Sequence, residues 1–138
     1  MRVWFLTLFA VAALGCDAAR ATAPSEAVSW RGAAVSGARV ADALPVLEAA
    51  WQQTPWDWEP RGWGIMWAAS KLACGDAVCG TTLCRDQGIT ECSGLTHTRT
   101  RQIEVSWAAP DPQGTARWEL CNARRFDQTG TVADRGCA

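Results

Sequence analysis

The chain has 138 residues, enough for one domain plus whatever precedes it, and 13 basic residues stand against 14 acidic ones for a formal net charge of −1. With no basic run or patch, nucleic acid is excluded as an expected partner. Trp occurs nine times, Tyr is absent, and Lys71 is the only lysine.

Residues 1–15 carry one charge, Arg2, and then an apolar run over residues 3–15. That run is too short for the roughly 20 residues of a membrane-spanning helix. A basic start, a short apolar core and small residues at the end are the layout of a cleaved export signal. Ala13-Leu14-Gly15-Cys16 closes it, and this segment resembles the lipobox of bacterial lipoproteins, although Ala13 stands where that family usually has Leu. The resemblance implies that Cys16 becomes the N-terminus and carries a diacylglycerol and an acyl chain such as palmitate. Each buried methylene contributes about 0.8 kcal/mol, so several chains hold a protein on a membrane. The expected location is the membrane-anchored face of a bacterial envelope, periplasmic or at the cell surface. Residues 16–36 are Ala/Ser-rich without a sustained period and are expected to form a flexible tether. Residues 37–138 are expected to form the folded domain.

Val40, Leu44, Leu47 and Trp51 recur at helical spacing, which predicts a helix over residues 42–53. Asp42 is its expected N-cap, Pro45 falls in the first turn, and Thr54-Pro55 ends it. Residues 54–67 follow, with Trp56, Trp58 and Trp63 among Pro and Gly. Three indoles beside Asp57 and Glu59 are a candidate glycan-binding platform. The alternative is that they fill the core of a small domain, since each ring buries a large apolar area. A strand is expected over residues 63–69, and a stapled loop region over 74–96 with a short strand near 81–84.

Ile103, Val105 and Trp107 alternate with polar residues, which predicts a half-buried strand over residues 99–107 ended by Pro110 and Pro112. Residues 115–126 read as a second helix stopped at Gly130. The expected fold class is α+β: a small disulfide-stapled domain with two helices and a short antiparallel sheet. A core of this size is marginal alone, and cross-links are the usual remedy. With Cys16 assigned to lipid, Cys74, Cys79, Cys84, Cys92, Cys121 and Cys137 remain, an even set suited to disulfides in an oxidising compartment. Their pairing is open, although closing the Cys121–Cys137 loop would restrict the unfolded chain by about 3 kcal/mol. Zinc is the competing use of these cysteines. Export and the four-residue gaps between Cys74, Cys79 and Cys84 weigh against it, so no metal or cofactor is expected.

Two catalytic patterns stand out against this background. His97 is the only histidine, with Ser93 and Ser106 near it, but no G-x-S-x-G elbow is present. On a helix, Trp118, Glu119 and Asn122 take the positions of the H-E-x-x-H zinc motif, and Gly130-Thr131 followed by Asp134 completes the pattern. Residues 101–136 thus resemble an aspzincin-type metallopeptidase that has lost its His ligands. That resemblance implies an inactive relative, with the 101–107 strand lining a cleft. The expected function is an exported, lipid-anchored binding or scaffold domain without catalysis, acting on a glycan or an envelope protein. The alternatives are the degenerate peptidase and an inhibitor or accessory subunit.

Overall fold

Arg31 and Gly32 both take the left-handed backbone region, with φ 47° and 79°. A two-residue turn of this hand matches the twist of paired strands, and it joins β1 (Val28–Trp30) to β2 (Ala33–Gly37) as an antiparallel hairpin. The computed structural model describes residues 26–53, 57–79 and 82–132. The export segment, Cys16, Trp56, Asp134 and Cys137 lie outside the described residues. Residues 28–36, expected in the tether, are instead part of the domain. Val35 is buried in the core, and Trp30 packs there while its Nε1 donates to Glu48 at 3.1 Å.

Helix α1 (Val40–Gln52) begins two residues before the expected start. Arg39, at φ 54°, is the residue that caps it, and Asp42 lies inside the first turn, accepting from Arg39 Nε at 2.9 Å. Pro45 consequently sits deeper than expected, where its missing N–H removes the helical bond to the Ala41 carbonyl. Ala43, Leu47, Ala50 and Trp51 form the buried stripe. Val40 and Leu44 pack at its side.

Strand β3 (Gly64–Ala68) pairs in parallel with β2. The chain then makes β4 (Leu72–Ala73), β5 (Val78–Cys79), β6 (Thr82–Leu83), the short helix α2 (Cys84–Gln87), β7 (Glu91–Cys92) and β8 (Gly94–His97). Strand β9 (Gln102–Ser106) returns in parallel with β3 and antiparallel to β8. Among the described residues the main sheet runs β1-β2-β3-β9-β8-β5-β6, and β4 with β7 forms a separate pair. The last element is α3 (Pro112–Thr129).

The expected fold class is therefore corrected: among the described residues, three helices accompany a mixed sheet whose centre is parallel. The β2–α1–β3 connection explains the difference, because parallel neighbours need a crossover and α1 supplies it. The register aligns Val35, Ile65 and Ile103 across three strands, followed by Trp67 and Val105. All five are buried, and α1 and α3 pack together over this side of the sheet.

Helix α3 is longer than the expected 115–126. Pro112, read as the end of a strand, also opens the helix, where a fixed φ and an absent N–H do no harm. Asp111 caps it by accepting from the Gly114 N–H at 2.9 Å. Gly130, at φ 75°, ends it as expected. Among the described residues no helix is long and apolar enough to cross a membrane.

Candidate functional site

Helix α3 lies so close to β8 that Gly94 has no room for a side chain. A Cβ there would stand 2.6 Å from Thr115 Cγ2 and 2.7 Å from Glu119 Oε1. Glu119 is thereby held against the sheet and is 2% exposed. Its Oε2 accepts from Thr96 Oγ1 at 2.6 Å and from Asn122 Nδ2 at 3.3 Å. Burial pushes the carboxyl up to about 7, and the two donors only partly oppose it. This acid therefore changes protonation near neutrality while shielded from solvent.

An open groove of about 600 Å³ runs past Lys71, Glu91, Ser93, Thr115 and Trp118, with Glu119 itself in its wall. The half-buried Trp118 indole lines it, and its N–H finds no partner among the described residues. Asn122 is wholly buried and does not line the groove. The segment 118–122 is helical, but the peptidase-like positions do not converge on one cleft, and Asp134 lies outside the described residues. The strands beside the groove are β7 and β8. Strand β9, expected to line a cleft, is interior to the sheet between β3 and β8. An indole, a single buried carboxyl and a buried amide do not form a zinc donor set.

The tryptophan-rich loop is organised by a carboxylate that the sequence did not suggest. Asp127, past the end of the expected helix, accepts from Trp58 Nε1 at 2.9 Å and Trp63 Nε1 at 3.0 Å. Arg101 grips the same group at 2.7 and 3.2 Å and lays its guanidinium 4.7 Å from the Trp63 ring centroid. Burial would raise this carboxyl, but Arg101 and the two indoles outweigh it and hold it below the ordinary range. Trp63 is 1% exposed and meets Phe126 edge-on, so it belongs to the core. Trp58 is half-buried and stacks obliquely on Trp51. The pair does not form an open aromatic platform, and Trp56 lies outside the described residues. Asp57 and Glu59 are drawn to different partners, Arg124 at 2.8 Å and Arg31 at 3.5 Å.

His97 and the serines do not assemble a catalytic pair. His97 Nε2 meets Glu104 at 2.5 Å on the side of the sheet away from α3. Ser106 instead donates to the Ser70 carbonyl at 2.7 Å.

Cys79 and Cys92 are joined by a disulfide, and Cys121 is also disulfide-bonded, its partner lying outside the described residues. Cys74 and Cys84 are free thiols, which corrects the expectation that all six cysteines pair. Their sulfurs and that of Cys92 lie within 4.8 Å of one another. Around them pack Leu72, Ala77 and Leu95 in a second apolar cluster. Burial, together with the neighbouring Cys74, pushes the Cys84 thiol up to about 12. No family model, curated protein or solved structure matches this chain.

Proposed function

We propose that this chain is an exported domain, held at a bacterial envelope membrane by lipid on Cys16, which acts there by binding an envelope component. The observation that carries the compartment is the Cys79–Cys92 bridge, with Cys121 bonded as well. Stable disulfides belong to oxidising spaces and are rare in the cytosol. The open groove beside Trp118 is the surface offered to a partner, because it combines an indole with Lys71 and Glu91 at its rim. Binding is favoured over hydrolysis by the position of Glu119. A general base must reach the proton it removes, and this carboxyl, although on the groove wall, is 2% exposed and engaged by Thr96 and Asn122.

Intact mass of the full-length gene product purified from membranes tests the anchor. The expected mass begins at Cys16 and includes the acyl groups, and Cys16→Ser abolishes membrane partitioning. Retention of residues 1–15, or unchanged partitioning of the variant, overturns it. Loss of partner capture on Trp118→Ala, with folding preserved, tests the groove.

A second reading, a metallopeptidase relative without its metal, is favoured by one observation. Trp118, Glu119 and Asn122 share one uninterrupted helix packed on a strand. Trp118→His combined with Asn122→His then creates micromolar zinc affinity, measured by titration calorimetry. A double variant that folds and binds no zinc removes that kinship.

A further inference from the structure

Four cysteines from four short segments meet in the second apolar cluster. Cys74 follows β4, Cys79 is in β5, Cys84 opens α2, and Cys92 is in β7. Backbone bonds tie these segments together. The Cys74 N–H reaches the Thr90 carbonyl at 3.1 Å, the Cys84 N–H reaches Ala77 at 2.9 Å, and Ile89 returns to the Cys84 carbonyl at 2.9 Å. Leu72 pairs with Cys92 across β4 and β7. Within this frame the free Cys84 sulfur stands 4.0 Å from the bonded Cys92 sulfur. The free Cys74 thiol donates to the Ile89 carbonyl at 3.1 Å, close to both.

We propose that these four cysteines form a thiol–disulfide exchange unit, in which the bridge passes between Cys79–Cys92 and Cys74–Cys84 through a Cys84–Cys92 intermediate. In the first step the Cys84 thiolate attacks Cys92 Sγ. The Cys79–Cys92 bond breaks, and its electron pair leaves on Cys79, which takes up the proton given up by Cys84. In the second step the Cys74 thiolate attacks Cys84 Sγ, and Cys92 leaves with the pair and takes up the proton from Cys74. One dithiol is oxidised and one disulfide is reduced. Two electrons and two protons move within the chain, so no outside oxidant is needed.

The burial pattern gives the exchange a readout. Cys84 and Cys92 are buried, and Cys74 and Cys79 are half-buried at the rim. Each bridge joins one rim sulfur to one inner sulfur, and moving it changes which rim thiol faces solvent. A partner suited to that rim is a thiol or disulfide, on a small molecule or a protein. Attack requires the thiolate, so the raised Cys84 thiol makes the exchange slow near neutrality. Three sulfurs so close also suit a soft metal, but the Cys92 sulfur is already held in the bridge.

The test uses the full chain, isolated without reductant, equilibrated between pH 7 and 9 and quenched in acid. The thiols are then labelled with a maleimide in denaturant, and the labelled and bridged peptides are mapped by mass spectrometry. Expected is label appearing on Cys79 or Cys92 as it declines on Cys74 or Cys84, with a rate rising about tenfold per pH unit. In Cys74→Ala the bridge can shift only between Cys79–Cys92 and Cys84–Cys92, so label divides between Cys84 and Cys79. Label confined to Cys74 and Cys84 in the unmodified chain at every pH overturns the exchange. So does one equivalent of zinc retained by the unreduced chain and released when these thiols are blocked.

Discussion

At the residue scale, two carboxylates on α3 face opposite environments and carry opposite consequences. Glu119 ionises at 4.5 in the ordinary case and near 7 in the folded chain. The folded state therefore favours its protonated form. Its contribution is complete below pH 4.5, falls as pH rises from 4.5 to 7, and is flat beyond. The shift corresponds to about 3 kcal/mol. Glu119→Gln removes this decline, so urea midpoints of the variant and the parent diverge across that window, with the variant the more stable at pH 8. Equal pH profiles would show that Glu119 is solvated. Asp127 acts in the other direction, since Arg101 and two indoles favour its ionised form. Asp127→Ala leaves the buried Trp63 N–H and the Arg101 guanidinium without this acceptor and is expected to cost about 2–4 kcal/mol. Denaturant unfolding monitored by Trp fluorescence measures it.

At the element scale, the contact between α3 and β8 is set by the absence of a side chain at one position. Gly94→Ala places a methyl group against Thr115 Cγ2 and against Glu119 Cγ at 2.8 Å. Neither belongs to a side chain free to swing away, so the helix must move off the strand. The expected loss is about 1–3 kcal/mol by chemical denaturation. Asp111→Ala removes the cap of the same helix and costs about 1 kcal/mol without disturbing the packing. The two variants separate helix formation from helix docking. A similar close approach occurs at Gly37, φ 103°, where a Cβ would lie 2.2 Å from the Trp67 carbonyl oxygen of the adjacent strand.

At the scale of the whole molecule, two apolar clusters are joined through β8, which carries Thr96 toward α3 and Leu95 toward the cysteines. The Cys79–Cys92 bridge spans 13 residues, and removing it by Cys79→Ala with Cys92→Ala is expected to cost about 3 kcal/mol. The helix-facing side of the main sheet should keep its order in that variant, as amide exchange in β3 and β9 would show. Much of the domain was legible in local sequence. The alternation at Ile103 and Val105 marked a strand, the 40–51 stripe marked a helix, and Gly130 marked a stop, because each depends on backbone preferences and side-chain periodicity within a few residues. The β1–β2 hairpin was hidden, since Ala33 and Val35 make too short a pattern among Ala and Ser to stand out. The parallel pairing of β2, β3 and β9, the burial of Glu119, the indoles gathered on Asp127 and the choice of Cys92 as the partner of Cys79 were decided only in the tertiary structure. Each joins residues far apart in the chain, and a local pattern carries no register for a distant partner.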